Sequence, residues 1–202
     1  LKANNNRDWF SQNKERYELA RREAENFVEK LLPEIRSFDS QIPDIKVKDC
    51  FFRINRDIRF SNDKSPHKIN FGAFISKGDR KGPFSGYYIH FEPETCFLSG
   101  GIYMPTPKIL QALRDEIYFN YDSFNKIISD KEFIRLFNRV EGDSLVKVPK
   151  QYPANAAGAE YLKLKYYIVM HYVNDKKFCS SSFPQHAIEV FQAMQPLNHF
   201  LN

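Results

Sequence analysis

The stretch YYIHFE at residues 87–92 decides the fold, because its side chains alternate in character with a period of two. The odd positions are Tyr, Ile and Phe, whereas the even positions include His90 and Glu92. Alternation of this kind is typical of a strand with one buried face. Loop-forming residues flank the stretch, from Gly78 to Pro83 before it and from Pro93 after it. We therefore expect an antiparallel meander with strands near 71–76, 86–92 and 96–103.

Helical periodicity lies on both sides of this middle region. In residues 1–38, apolar side chains recur every three or four positions after an N-cap at Asn6, and residues 107–138 repeat that spacing. A C-terminal helix is predicted around residues 188–194. Two internal prolines are expected to bend or interrupt their helices. These are Pro33 and Pro196.

Two further segments are predicted strands. Residues 165–173 are apolar on both parities, which is typical of a strand covered on both faces, with a helix as the alternative. Residues 145–148 form a weaker strand pattern. Helices at both ends with strands bunched in the middle indicate an α+β fold. We expect a central antiparallel sheet, a meander, with N-terminal, middle and C-terminal helices packed on it. No linker or repeat divides the chain, so a single domain is expected over residues 1–202.

The composition fits one globular domain. The 202 residues are 42% hydrophobic and 27% charged, and aromatic residues make up 15%. These values exclude a disordered chain, a fibrous protein and a disulfide-rich miniprotein. Three Cys residues without a CxxC pair favour free thiols in a reducing compartment, and no apolar run approaches the roughly 20 residues that span a bilayer. We therefore expect a cytoplasmic chain with no membrane segment. Residue 1 is Leu, so a truncated N-terminus is also expected.

The densest polar stretch is RINRDIRFSNDKSPHK at residues 53–68, which we call the basic segment. It holds five Lys and Arg residues against two Asp residues, which leaves +3 of the +5 carried by the whole chain. A local excess of positive charge favours an anionic partner, and arginine forks bind phosphate or carboxylate well. The candidate ligand-binding residues are Arg53, Arg56, Asp57, Arg59, Asp63, Lys64, His67 and Lys68.

The predicted geometry of this site depends on residues 52–60 forming one strand. Arg53, Asp57 and Arg59 would then project from one face, where side chains two positions apart stand roughly 6.5–7 Å apart. Asp57 would orient the two arginines, and Asp63 would brace the loop that follows. The alternative is a self-neutralised Arg–Asp network that ties the loop to the sheet without any function. The surplus of cations favours the anion site, because an uncompensated buried charge is costly.

The remaining patterns for chemistry are weak. His67 suits a general acid or base, but a loop histidine exposed to water is the favoured interpretation. His90 and Glu92 supply half of a metal site, but no histidine spacing completes it, and side chains exposed on a strand are the favoured interpretation. The chain has no GxxxxGK[ST] phosphate loop, no GxGxxG motif after a strand and no GxSxG elbow. We therefore expect no cofactor and no metal, and the sequence identifies no catalytic residue.

Two sequence signatures resemble those of a widespread microbial family of conserved hypothetical proteins, known only as a domain of unknown function. The first is NNNRDWF at residues 4–10, followed by Asn13, Lys14 and Tyr17. The second family signature, R-x-x-R-D-x-R-F-S-x-D-K-x-P-Y-K, is similar to the basic segment. The resemblance covers most of the chain and implies a soluble α+β domain of about this length, with no established activity, cofactor or catalytic residue. The chain departs from the signature at His67, where the family tends to have Tyr, and this weighs against a catalytic imidazole.

The leading hypothesis is a domain that binds the phosphate or carboxylate group of a small molecule through the basic segment. An alternative is a hydrolase or transferase acting on a phosphorylated substrate, with Asp57 or Asp63 as acid–base group or metal ligand. A nucleic-acid or protein-interaction module is a further alternative, although Lys and Arg are interleaved with acidic residues instead of forming a dense stripe. A purely structural role for the basic segment is the fourth interpretation. The sequence does not indicate an oligomeric state.

Overall fold

A four-stranded antiparallel sheet forms the centre of the computed structural model, which describes residues 1–78, 80 and 82–202. The strands lie in the order β1-β2-β3-β4, and each is antiparallel to its neighbours. The predicted meander and the α+β fold class are confirmed. The strands are β1 (Phe71–Ser76), β2 (Gly86–Phe91), β3 (Phe97–Ile102) and β4 (Tyr167–Tyr172).

Helices precede, interrupt and follow these strands. The predicted N-cap at Asn6 is confirmed, since its side chain accepts the N–H of Trp9 at 2.9 Å. A break at Asn13 divides the N-terminal helical region into two helices. Within the described residues, no helix combines the length and apolarity needed to span a bilayer. The helices are α1 (Arg7–Gln12), α2 (Lys14–Phe38), α3 (Val47–Cys50), α4 (Pro107–Phe119), α5 (Tyr121–Ile128), α6 (Lys131–Phe137), α7 (Ala159–Leu162), α8 (Asp175–Phe178) and α9 (Phe183–Phe200).

Helices α2 and α9 continue through their internal prolines. Pro33 lies five residues before the end of α2, and Pro196 lies four residues before the end of α9. A proline inside a helix removes one backbone hydrogen bond. Burial of neighbouring side chains such as Ile35 and Leu197 offsets this loss, because tertiary packing supplies most of the stability of helices in proteins. The expected interruption at Pro196 is therefore wrong.

The two weaker strand predictions have different outcomes. The segment at 165–173 does form β4, but only one of its faces is buried, and Tyr172 at its end is 68% exposed. Residues 145–148 form no strand. A single bridge between Ser144 and Leu164 is the nearest β pairing, so this stretch has too few backbone partners to extend into a ladder.

One face of the sheet packs against α2 and α9 and forms the hydrophobic core. The register places Ala73, Ile89 and Leu98 side by side across the first three strands, and all three are fully buried. Burying a side chain of the size of Leu or Ile contributes roughly 1.5–3 kcal/mol. This row therefore explains why the odd positions of YYIHFE are apolar: they face the helices, and the even positions face away.

Two adjacent glycines let β3 pack closely on both sides. A Cβ on Gly100 would lie 2.8 Å from the Sδ of Met194 in α9, so helix and strand approach more closely than a larger residue permits. Gly101 has φ +106°, and a Cβ there would lie 2.1 Å from the carbonyl oxygen of Tyr167. Neither position has room for a side chain, so the two glycines permit the close backbone approach.

Asp39, directly after α2, is a buried carboxylate that ties three elements together. It accepts hydrogen bonds from the Tyr87 hydroxyl at 2.7 Å, the His199 ring at 3.0 Å and the Gln41 N–H at 3.0 Å. Burial raises the pKa of Asp39, but these hydrogen bonds outweigh burial and hold the pKa below its ordinary value. The carboxylate therefore contributes stability that is present above about pH 4 and is lost as the pH falls through the lowered pKa.

We expect Asp39→Ala to reduce the free energy of unfolding at pH 7 by about 3 kcal/mol, because the Tyr87 hydroxyl and the His199 ring lose their acceptor. Urea denaturation followed by circular dichroism measures the change. Asp57→Ala, which removes an exposed carboxylate whose ion pair lies in water, is the control and should cost much less. Equal losses in the two variants would contradict the role assigned to Asp39.

Candidate functional site

The basic segment is an irregular loop that folds back on itself beside β1. Backbone hydrogen bonds of 2.8–3.0 Å join residues 54–56 to residues 66–68. The strand predicted over residues 52–60 does not form, because these residues find their backbone partners largely within the segment itself. The exposure of the side chains still alternates over residues 52–59, with Arg53, Asp57 and Arg59 exposed, but no strand ladder holds the two arginines on one sheet face.

Most charges of the basic segment are paired within it. Arg59 donates to both carboxylate oxygens of Asp57, with Nε–Oδ1 at 2.9 Å and Nη2–Oδ2 at 2.6 Å. These hydrogen bonds lower the pKa of Asp57 to about 2. Arg56 forms an ion pair with Asp63 and holds the pKa of that carboxyl well below its usual range. Asp57 therefore binds one arginine, Arg59, and does not hold Arg53 and Arg59 together.

The turn of the basic segment is closed by local contacts. The Lys64 ammonium donates to the carbonyl of Ile58 at 3.0 Å, and Asp63 accepts the N–H of Ser65 at 2.9 Å. At the tip, the Phe60 side chain is 96% exposed. These contacts therefore shape the loop, and among the described residues Lys64 is the cation of this end that has no carboxylate within 4.0 Å.

A second group of cations has no such partners. Lys68 Nζ and Arg80 Cζ lie 5.2 and 5.6 Å from the ring centroid of Phe52, and Arg53 follows Phe52 in the chain. We call Arg53, Lys68 and Arg80 the cation cluster. Burial lowers the pKa of Lys68, and the charges of Arg53 and Arg80 lower it further. Among the described residues, no carboxylate oxygen lies within 4.0 Å of these three cations.

Arg80 joins this site from outside the basic segment. It lies in the connection between β1 and β2, where its Nη1 donates to the carbonyl of Asp49 at 3.2 Å and to that of Phe51. The sequence carries no signal for this role, because only the folding of β1 brings Arg80 to the ring of Phe52. The sequence shows that the loop between these strands carries a cation, but it does not show which residues lie beside that cation.

A cavity of about 230 Å³ lies between the start of the N-terminal helices and the end of the basic segment. Helices α1 and α2 contribute several aromatic side chains, and the basic segment contributes Lys68. The cavity therefore joins the two signatures on which the family resemblance depends. The residues that matter most for its chemistry are Trp9, Phe10, Tyr17, Ile54, Lys68 and Phe71.

His67 is buried, contrary to the expected exposure to water. Its side chain stacks on Phe10 with ring centroids 4.1 Å apart, and only 6% of the residue is exposed. The Asn5 side chain clamps its backbone, donating to the His67 carbonyl at 2.9 Å and accepting the His67 N–H at 3.1 Å. Neither ring nitrogen has a hydrogen-bonding partner among the described residues. Burial and the charge of Arg7 lower the pKa of His67, so the ring is a packed neutral group and a poor base.

A hydrogen-bonded chain crosses the sheet face opposite the core. His90 Nε2 lies 3.0 Å from Glu92 Oε2, and His90 Nδ1 lies 3.0 Å from the Tyr88 hydroxyl and 3.2 Å from Asn70 Nδ2. Burial, with a contribution from the Glu92 charge, raises the pKa of Tyr88 to about 12. The hydroxyl therefore stays protonated and donates to Nδ1, which leaves the proton of neutral His90 on Nε2. The His90 and Glu92 side chains are only 15% and 16% exposed, which corrects the expectation of exposed strand residues.

The structure also brings together histidines that the sequence keeps apart. The Nε2 atoms of His171 and His186 lie 3.0 Å apart, and His171 Nδ1 lies 3.1 Å from the carbonyl oxygen of Leu136. This contact links β4 to α9. In the described part of the chain, no three His, Cys, Asp or Glu side chains group in a way that would hold a metal ion.

We expect His67→Phe to raise the free energy of unfolding by about 1 kcal/mol at pH 7, because Phe keeps the stack on Phe10 and leaves no ring nitrogen without a partner. The gain should be larger at pH 5. The unfolded chain takes up a proton at this histidine near pH 6.5, whereas the folded chain does so only at lower pH, so the parent loses stability as the pH falls below about 6.5. Urea denaturation at both pH values measures the difference. A gain that stays constant between pH 7 and pH 5 would show that the buried ring does not resist protonation.

Comparison with known proteins gives one match. The model of the family described as "Conserved hypothetical protein (DUF2461)" matches residues 1–200. Neither the comparison with curated proteins nor the comparison with solved structures finds a match. The family match spans both the aromatic N-terminal helices and the basic segment, which the fold places against each other. The chain therefore belongs to the DUF2461 family of conserved hypothetical proteins.

Proposed function

We propose that this protein binds the phosphate or carboxylate group of a small molecule at the cation cluster. The observation that carries the proposal is the half-buried Lys68, which lies close to two arginines and has no carboxylate within 4.0 Å among the described residues. A charge that is partly withdrawn from water and surrounded by like charges is unfavourable. An anionic ligand would remove this cost.

The basic segment itself provides the contrast that supports this proposal. Arg59 and Arg56 each have a carboxylate partner a few residues away. If the segment served only to fix a loop to the sheet, the same local pairing would suffice for Arg53 and Lys68. Their different surroundings favour a role in binding over a purely structural one.

The predicted site residues then divide into two groups. Arg53 and Lys68, together with Arg80, would contact the anion, and the backbone carbonyls that hold the Arg80 guanidinium would keep it in place. The other predicted residues would shape the loop and would not contact the ligand. These are Arg56, Asp57, Arg59, Asp63, Lys64 and His67.

The two alternatives have less support. General acid catalysis needs a carboxyl group whose pKa lies near the working pH, but the pKa values of Asp57 and Asp63 are both lowered. A nucleic-acid interface needs cations spread along a face, whereas Lys68 and Arg80, which have no carboxylate within 4.0 Å among the described residues, lie at one ring, that of Phe52. A single small anion matches this arrangement best.

Inorganic phosphate is the simplest probe of the proposal. At about ten times its Kd, it should stabilise the parent by about 1.4 kcal/mol and raise the Tm by about 3–5 °C, since only the folded state binds. We expect the double substitution Arg53→Gln with Lys68→Met to abolish this shift. Thermal unfolding with and without phosphate, at constant ionic strength, measures it.

Arg59→Gln is the matched control, because it removes one positive charge from the same segment at a site already paired with Asp57. It should retain the phosphate shift. Lys68→Met alone should leave the phosphate-free protein at least as stable as the parent, because the lowered pKa of Lys68 shows that the fold disfavours its charge. No shift in the parent, or an equal loss in the Arg59 variant, would overturn the proposal.

A further inference from the structure

We infer that the anionic group belongs to a molecule with a heteroaromatic ring, and that the ring binds in the 230 Å³ cavity between the N-terminal helices and the basic segment. This inference rests on the proposed function and names its ligand class. The chemistry is that of a nucleoside monophosphate or a similar ring-bearing phosphate or carboxylate.

The cavity wall is a continuous row of aromatic rings. Phe10 and Tyr17 have centroids 5.2 Å apart, and Tyr17 and Phe71 have centroids 5.6 Å apart. Trp9 adds a fourth ring to the lining. All four side chains are half-buried; His67 covers one face of Phe10, and Phe71 packs partly against the core, so each ring keeps only part of its surface for a ligand. Aromatic side chains that keep free faces can stack on a planar ring, and such stacking accepts many ring types.

The size of the cavity limits what it can hold. Drug-sized ligands occupy pockets of roughly 300–1,000 Å³, so 230 Å³ accommodates a single ring or a fused pair and little else. The rest of the molecule must lie outside the cavity. The phosphate or carboxylate group of such a ligand would therefore stand at the mouth of the cavity.

Lys68 connects the cavity to the cation cluster. Its side chain lines the cavity, and its Nζ lies over Phe52 together with Arg80. A lysine can pack its aliphatic stem against apolar surface while its ammonium group stays at a polar boundary. A ring held between the N-terminal helices therefore places its anionic substituent within reach of the ammonium group.

Two amide side chains supply polar contacts in the cavity. Asn13 Nδ2 donates to the Trp9 carbonyl at 2.9 Å, and Asn70 Nδ2 lies 3.2 Å from His90 Nδ1. The side-chain oxygen of Asn70 accepts no hydrogen bond from any described residue. The rest of the lining is aromatic or aliphatic apart from Lys68 and Arg16, whose Nη1 donates to Asn13 Oδ1 at 3.3 Å. A free acceptor in such a cavity favours a ring with an N–H donor over a hydrocarbon ring.

Trp9 is the one tryptophan of the chain and lines the cavity, so its fluorescence reports occupancy directly. We would titrate the parent with uridine monophosphate, with uridine and with inorganic phosphate at constant ionic strength. The monophosphate should quench Trp9 and bind at least tenfold more tightly than inorganic phosphate, because it adds stacking to the ionic contact. Uridine should quench Trp9 with lower affinity.

Tyr17→Leu separates the stacking contact from the ionic contact, because it keeps apolar volume but removes the central ring of the cavity wall. It should lose most of the tenfold advantage of the monophosphate and keep the phosphate-dependent Tm shift. If the monophosphate binds no more tightly than phosphate while the Tm shift persists, the inference is overturned and the proposed function stands. If neither ligand binds in a way that depends on Arg53 and Lys68, the proposed function fails as well.

Discussion

The burial of one sheet face against α2 and α9 is the constraint on which the rest of the structure depends. It also creates the candidate site, because α2 is longer than the core requires. Its 25 residues span about 37 Å, but its buried side chains all lie between Ala24 and Ile35. The first turns extend past the core and place Tyr17 beside Phe71 and Lys68. The cavity thus forms where the first turns of α2 extend beyond the core.

The charged side chains of the basic segment have two different kinds of surroundings. At the exposed end, Arg59 and Asp57 satisfy each other in water, where such pairs contribute little to stability. At the end nearest the sheet, Lys68 is half-buried beside Arg53 and Arg80, and the fold lowers its pKa. Because Arg59 and Asp57 pair with each other, the exposed end of the segment needs no further partner. The second arrangement has no carboxylate within 4.0 Å among the described residues, and the proposed function rests on it.

Two stretches with the same alternating pattern fold differently, and the comparison shows what periodicity can predict. YYIHFE forms a strand because antiparallel neighbours lie on both of its sides. Residues 52–60 alternate as regularly, yet Phe60 is 96% exposed and no strand forms. A pattern of side chains records which faces differ in polarity, but a strand also needs backbone partners along its length. Residues 52–60 have such partners only in places: Phe52 donates to the carbonyl of Gly72, and residues 54–56 pair with residues 66–68 of the same segment.

By itself, the sequence determined the meander, the flanking helices, the Asn6 cap and the location of the polar segment, because each depends on neighbours a few residues apart. The tertiary structure alone decided that Arg80 joins Lys68 and that His67 is buried under Phe10. Electrostatic and stacking contacts depend on distance in space. Residues far apart in the chain reach such distances only when the sheet and helices pack.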